Sequence, residues 1–387
     1  MNDTWWVNLG DLDDEQEPII NLPIGKSYLI TGPPGSGKTN LVLLRANYLY
    51  LSGFQNIEVV VFTRTLREFI ASGGARYDFP VKKVNTGIKF FQRLLHRYGV
   101  PMTLPDSFRE LRIYLLQETQ KLVEEKNLAD LFETILLDEG HNFWPEEIDI
   151  FSRLAKTMFI AADARQRIYD GTDCAENMKQ AVDEEFALQF HYRIGRQICK
   201  VADALMNDSP GFVPMLESSQ YDEVKIPSHV HSVGCQSVAQ QVERIIESLK
   251  VELDTYPDEF LGVLCPTHKI LDEVREIISS SALKDVSICQ GNGNSVDFTP
   301  ERKIIVCTIH AAQGVEFRTV HVAGGDEIEK LHQHRNAVFT AVTRAKTSLS
   351  VYYSSTLPGY FEQALQAALP PKPPVKVVDV FGGKRKR

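Results

Sequence analysis

Short apolar runs rich in β-branched residues alternate along the chain with longer stretches in which apolar residues recur every three or four positions. Side chains alternate across a strand and realign every three to four residues on a helix, so this rhythm predicts strands separated by helices, the order of a parallel sheet covered by helices. The predicted strands are 27–31, 58–62, 134–138 and 158–161 in the first half, and 227–233, 261–265, 303–308, 319–322 and 348–353 in the second. Helical spacing covers 38–50, 107–125, 236–252 and 269–280. The fold class is therefore α/β. A junction near 183–189 is expected to divide it into an N-terminal segment 1–20, a first domain 21–186, a second domain 187–368 and a tail 369–387.

Composition narrows the classes. With 387 residues, 43% of them hydrophobic, the chain can bury two ordinary cores. No run approaches the roughly 18 apolar residues of a membrane span, and Met1 to Glu17 is acidic where a secretory signal would be basic and then apolar. A cytoplasmic protein without a membrane partner is expected. The six cysteines are dispersed, with no C-x-x-C pair, so neither a zinc cluster nor a disulfide framework is suggested. A net charge of −9 disfavours coating of nucleic acid through bulk electrostatics, so any such contact is expected in a local groove. The tail differs: Pro370-Pro371-Lys372-Pro373-Pro374 reads as an extended linker, and Lys384-Arg385-Lys386-Arg387 as a solvated, or alternatively phosphate-binding or targeting, basic end.

Gly32-Pro33-Pro34-Gly35-Ser36-Gly37-Lys38-Thr39 fits G-x-x-x-x-G-K-[ST] directly after a predicted strand and at the start of a predicted helix. In that setting the glycines let backbone N–H groups turn onto the phosphates of a nucleoside triphosphate, expected to be ATP. The helix N-terminus adds partial positive charge, Lys38 neutralises the β/γ oxygens and the Thr39 hydroxyl ligates Mg²⁺. Hydrolysis also needs carboxylates, and Ile135-Leu136-Leu137-Asp138-Glu139 is an apolar strand ending in two of them. Asp138 is expected to hold the Mg²⁺ and Glu139 to orient and deprotonate the attacking water.

With these residues in view, the chain resembles superfamily 1 helicases, especially the UvrD/Rep-like branch, from about Leu29 to Tyr353. The resemblance implies two tandem RecA-like domains with ATP in the cleft between them. Asp138-Glu139-Gly140-His141 resembles the D-E-x-Q box, with His141 where glutamine is usual. Phe159 to Gln166 resembles the G-D-x-x-Q motif, which implies that Gln166 senses the γ-phosphate. Gln189-Phe190-His191-Tyr192-Arg193 resembles the N-Y-R box, with Tyr192 on adenine and Arg193 on the γ-phosphate. Thr308-Ile309-His310-Ala311-Ala312-Gln313-Gly314-Val315-Glu316-Phe317 matches T-x-H-x-x-[KQ]-G-x-E-[FY]; the family assigns Gly314 and Glu316 to the nucleotide, and Thr308 and His310 to the single strand. Ala341-Val342-Thr343-Arg344-Ala345 implies that Arg344 is a finger on the γ-phosphate. Phe62-Thr63-Arg64 and Val84-Asn85-Thr86-Gly87 resemble loops that contact the strand, which adds Thr63, Arg64 and Thr86.

The departures matter as much. The intervals 86–134 and 199–303 leave little room for the accessory subdomains of larger relatives. Ile168-Tyr169-Asp170-Gly171-Thr172 puts glycine where the family carries a base-stacking aromatic, and no adenine-reading glutamine is evident before the phosphate loop. Two readings follow. One is an ATP-dependent motor that translocates on, or unwinds, single-stranded or overhanging DNA. The other is a regulatory ATPase of a repair or anti-phage defence complex, coupled to a protein partner such as a nuclease.

Overall fold

The computed structural model describes Gly10 and residues 12–369, without 74–76, 170, 210–211, 290–298, 300 and 332. The proline-rich linker and basic end expected at 370–387 lie outside the described residues, as do 1–9, 11 and Asp170.

Six strands build the first sheet: β1 (Tyr28–Thr31), β2 (Ile57–Val61), β3 (Val84–Thr86), β4 (Phe132–Leu137), β5 (Ala155–Ala162) and β6 (Glu184–Ala187). The second contains β7 (His229–Gly234), β8 (Leu261–Cys265), β9 (Ser287–Cys289), β10 (Ile304–Thr308), β11 (Phe317–Val322) and β12 (Ala345–Tyr353). Their orders are β3-β2-β4-β5-β1-β6 and β7-β12-β11-β8-β10-β9. Every pairing is parallel. The protein is an α/β molecule of two tandem RecA-like domains.

Central strands such as β2 and β8 are buried at every position, because helices cover both faces. Along β1, Tyr28 and Ile30 join one core while Leu29 joins another. One core runs between the sheets, combining Ile30, Leu136 and Ala161 with Ile305, Phe317 and Val320 and with helices Arg196–Met206 and His334–Thr343. Separate cores close the far faces, behind the first sheet around Phe90, Phe91 and Phe151 and behind the second around Ile245, Val274 and Ile278. Continuity of the middle core fixes the two sheets against each other.

All nine strands predicted from the sequence are present. The three missed, β3, β6 and β9, are edge strands of three or four residues. An edge strand has one pairing neighbour and one solvated side, so it carries no long apolar run. Val84–Thr86 is thus a strand followed by helix Gly87–Arg97, where a loop was expected. The expected 186/187 junction falls within β6, which pairs with β1. All six cysteines are free thiols. No helix among the described residues is long and apolar enough to cross a membrane.

Candidate active site between the sheets

The phosphate loop leaves the carboxyl end of β1 and enters helix Lys38–Leu51, the end of an open parallel sheet at which ligands collect. Gly35 and Gly37 adopt positive φ, 74° and 84°, and so turn the loop. Space matters too, since a Cβ on Gly32 would lie 2.8 Å from that of Leu188. Lys38 is partly buried, and its ammonium donates to the carbonyls of Gly32 and Pro33, both at 2.9 Å. Burial lowers its pKa, against the pull of Asp163 and Glu139.

Strand β4 lies one strand away from β1, which brings Asp138 and Glu139 beside the loop. Burial, then the neighbouring Glu139, raises the Asp138 carboxyl to about 7, while a hydrogen bond from Thr39 opposes the shift. Its Oδ1 accepts the Glu139 N–H at 3.0 Å, and its buried Oδ2 has no hydrogen-bond partner among the described residues. A buried carboxylate oxygen without a donor, beside a threonine hydroxyl, is the chemistry a hard divalent cation completes, usually with substrate phosphates as further ligands. Thr39 and Asp138 therefore fit Mg²⁺.

Glu139 is buried and left-handed, φ 54°, an arrangement that costs about 1–3 kcal/mol and marks functional turns. His141 packs beside it. The Asp163 N–H donates to His141 Nδ1 at 3.0 Å, and His141 Nε2 lies 3.2 Å from Glu139 Oε2, outside hydrogen-bond geometry, and 3.3 Å from the Asn142 amide nitrogen. Burial lowers the imidazole pKa, against the pull of Glu139 and Asp163.

The other walls come from distant segments. Burial alone would raise Asp163, but Arg165, Lys38 and the Gln166 amide hold it at about 2. The Gln166 amide donates to Asp163 at 3.0 Å, and its oxygen accepts from Arg344. Arg193 donates to Glu316 at 2.9 Å. Burial would raise Glu316, but Arg193, Lys346 and Arg344 bring its carboxyl below the usual range. Pro34, Gly35, Lys38, Thr39, Glu139, Gln166, Arg193, Gly314, Glu316 and Arg344 all line one cleft. Tyr192 lies at its rim, its N–H on the Gly35 carbonyl at 3.3 Å. Its phenol is raised by burial and by a hydrogen bond with Asp13.

The residues expected on a nucleic-acid strand are more scattered in role. Thr63 is buried: its hydroxyl accepts from Leu66 N–H and donates to the Gln313 carbonyl, each at 3.2 Å. Thr86 caps helix Gly87–Arg97 through the Lys89 N–H, and Thr308 accepts from Ala311 N–H. Arg64 is exposed. The His310 ring stands 5.2 Å from that of Tyr169, whose hydroxyl donates to the His310 carbonyl.

Two participants escaped the sequence reading. Gln16 packs on the phosphate loop, its amide donating to the Ser36 carbonyl at 2.9 Å, so a glutamine does precede the loop. The available signal was a lone glutamine opening a short helix, Gln16–Ile20. Gln313, fully buried, receives the Asn142 amide at 3.1 Å and donates to the Gln166 carbonyl at 2.7 Å.

Residues 303–352 match the family described as the UvrD-like helicase C-terminal domain. The chain is 27% identical over 299 residues to the Mycoplasma pneumoniae (strain ATCC 29342 / M129 / Subtype 1) protein named "Probable DNA helicase", covering 69% of this chain and 51% of that one. It thus spans about half the length of the curated relative. Among solved structures, the PRRSV helicase matches with TM-score 0.40 at 16% identity, over 88% of this chain and 57% of that one. The C-terminal domain of a possible DNA helicase from Lactobacillus plantarum WCFS1 matches with TM-score 0.33 at 16% identity, over 46% of this chain and 96% of its own. Over residues 303–352 the chain is thus similar to the UvrD-like helicases.

Proposed function

We propose that the protein is a Mg-ATP-driven nucleic-acid motor, hydrolysing ATP in the cleft between its RecA-like domains (21–186 and 187–368) and coupling turnover to translocation on, or unwinding of, DNA. The observation that carries this is the convergence of Lys38, Thr39, Glu139, Gln166, Arg193 and Arg344 on one cleft. In this reading the phosphate-loop N–H groups and Lys38 bind the β- and γ-phosphates, with Lys38 exchanging its carbonyl partners for phosphate oxygens. A divalent cation at Thr39 and Asp138 would supply charge neutralisation on those oxygens.

Glu139 takes the proton of the attacking water, with the His141 ring packed against its carboxylate. Gln166, Arg193 and Arg344 meet the charge that develops on the γ-phosphate. The two arginines are already partnered with protein oxygens, so each must exchange a neutral amide or a carboxylate for phosphate. That exchange makes the fit of the domains depend on the nucleotide, which is how a phosphate-driven switch performs work.

The test is the rate of ATP hydrolysis with and without single-stranded DNA, RNA and duplex. Stimulation of several-fold by single-stranded DNA is expected. Turnover that ignores every nucleic acid would sink the motor reading and leave an ATPase coupled to a protein partner.

A further inference from the structure

From Phe79 to Pro105 the sequence contains no acidic residue, although the whole chain has 51 of them against 42 lysines and arginines. The same stretch carries Lys82, Lys83, Lys89, Arg93 and Arg97, so five uncompensated positive charges lie together in a protein of net charge −9. On helix Gly87–Arg97, Lys89, Arg93 and Arg97 follow at four-residue steps and form one stripe. Like charges at that spacing repel each other. The helix dipole favours Arg97 in the last turn and opposes Lys89 in the first. Helix stability therefore does not account for the stripe.

The stripe borders a groove of about 700 Å³. Phe90, Leu94 and Phe132 are buried beneath it, and Met102 and Leu104 carry apolar surface up to its rim, where Leu104 is 46% exposed. The one acid among the lining residues, Glu58, is buried and already answered by Arg93, with both contacts at 3.3 Å, and by the Asn85 amide at 2.9 Å. Lys89 and Arg97 are exposed and form no ion pair among the described residues. The groove thus joins unmatched positive charge to exposed apolar surface. Its base is remote from the nucleotide cleft: Phe132 opens β4, whereas Asp138 follows the far end of that strand, about 20 Å away.

We infer that this groove docks an extended acidic peptide segment of a protein partner, in which carboxylates alternate with apolar residues. Charge complementarity selects an anion, and arginine forks suit carboxylates. The spacing agrees: four helical residues advance about 6 Å, and alternate side chains of an extended peptide are about 6.6 Å apart. The intervening side chains of such a peptide supply apolar surface for Met102 and Leu104, which a nucleic-acid backbone, with phosphates and sugars alone, does not. The inference does not depend on what the nucleotide cleft drives.

The test is fluorescence polarisation of a fluorescein-labelled peptide, Asp-Leu-Glu-Phe-Asp-Leu-Glu, with the full chain. Saturable binding is expected, weakened about tenfold when serine replaces the three apolar residues of the peptide, since each buried side chain contributes on that scale. Arg97→Glu and Leu104→Ser, both at exposed positions, should each weaken binding about tenfold, and Arg97→Glu should also flatten its salt dependence. ATP turnover of both variants should equal the parent's, which shows that they fold and separates this site from the cleft. Absence of binding at millimolar peptide and low salt would overturn the inference. So would equal affinity for the serine peptide, or full displacement by duplex DNA together with indifference to Leu104→Ser, which would make the groove a charge track for nucleic acid.

Discussion

The Arg344 guanidinium donates to the Gln166 side-chain oxygen, joining the start of β12 in the second domain to the turn after β5 in the first. Arg344 is 3% exposed, and its Nε has no hydrogen-bond partner among the described residues. A buried cation with a donor to spare, held at a phosphate cleft by a neutral amide, is poised to accept an anion. Arg344→Ala is therefore expected to lower kcat for ATP by about 10³-fold while changing nucleotide affinity much less. Steady-state kinetics beside equilibrium binding of a fluorescent nucleotide separates the two. Equal losses in kcat and affinity would show that Arg344 only binds.

Glu139 gives a sharper chemical expectation. Its replacement by glutamine keeps the shape and removes the base, so hydrolysis should fall about 10²–10⁴-fold with binding retained. His141→Ala should reproduce a part of that loss, about tenfold, because the carboxylate loses the ring packed against it. His141→Gln, which fills more of the same space, should recover most of it. Retained turnover in the Glu139→Gln protein would mean that another group takes the proton.

Much of this cleft was readable in the chain, because its parts are contiguous motifs tied to strand ends. The phosphate loop needs glycines and a lysine within eight positions, and Asp138-Glu139 closes an apolar strand, so local order carries the chemistry. Pairings between distant segments were not readable. Gln313 meets Gln166 across 147 positions and Thr63 across 250, and neither bond leaves a local pattern. Gln16 is a single polar residue on a five-residue helix, and its role comes only from its packing on Ser36. Trp144 follows the acid pair closely, yet only the fold brings it against Gly171. The edge strands were missed for a simpler reason: β6 reads Glu-Glu-Phe-Ala, with its charges in solvent.

Asp138 predicts how metal and pH interact. Its folded-state pKa of about 7 lies above the ordinary carboxylate value of about 4, so the folded protein holds an extra proton between those limits. Stability from this group is present below pH 4 and is lost as pH rises through 7. Asp138→Asn removes that loss. The variant should melt higher than the parent at pH 8, by about 2–4 °C for each kcal/mol recovered, with a smaller advantage at pH 5. In the parent, protons compete with Mg²⁺, so the Mg²⁺ needed for half-maximal turnover should rise up to about tenfold per unit below pH 7. A Mg²⁺ requirement flat from pH 6 to 8 would place the metal elsewhere.

Gln313 tests whether the cleft and the outer face act together. Its carbonyl takes the Thr63 hydroxyl at the head of helix Arg64–Ser72, and its side chain joins Asn142 behind the acid pair to the Gln166 carbonyl. The next residue, Gly314, comes so close to that helix that a Cβ would lie 2.4 Å from Leu66. The second domain thus grips the first at one fully buried amide. Removing it leaves the Gln166 carbonyl and the Asn142 amide short of partners, at about 1–3 kcal/mol for each group left unsatisfied. Gln313→Ala should lower the melting temperature by several degrees. It should also reduce the ratio of DNA-stimulated to unstimulated ATP turnover, because the elements that lead from Thr63 to Gln166 no longer move as one. Gln313→Glu separates packing from bonding: it keeps the volume but puts an acceptor where the Gln166 carbonyl needs a donor, so its ratio should fall as far as that of alanine. A stimulation ratio equal to the parent's in both variants, measured at saturating single-stranded DNA, would show that Gln313 stabilises the interface without coupling the two sites.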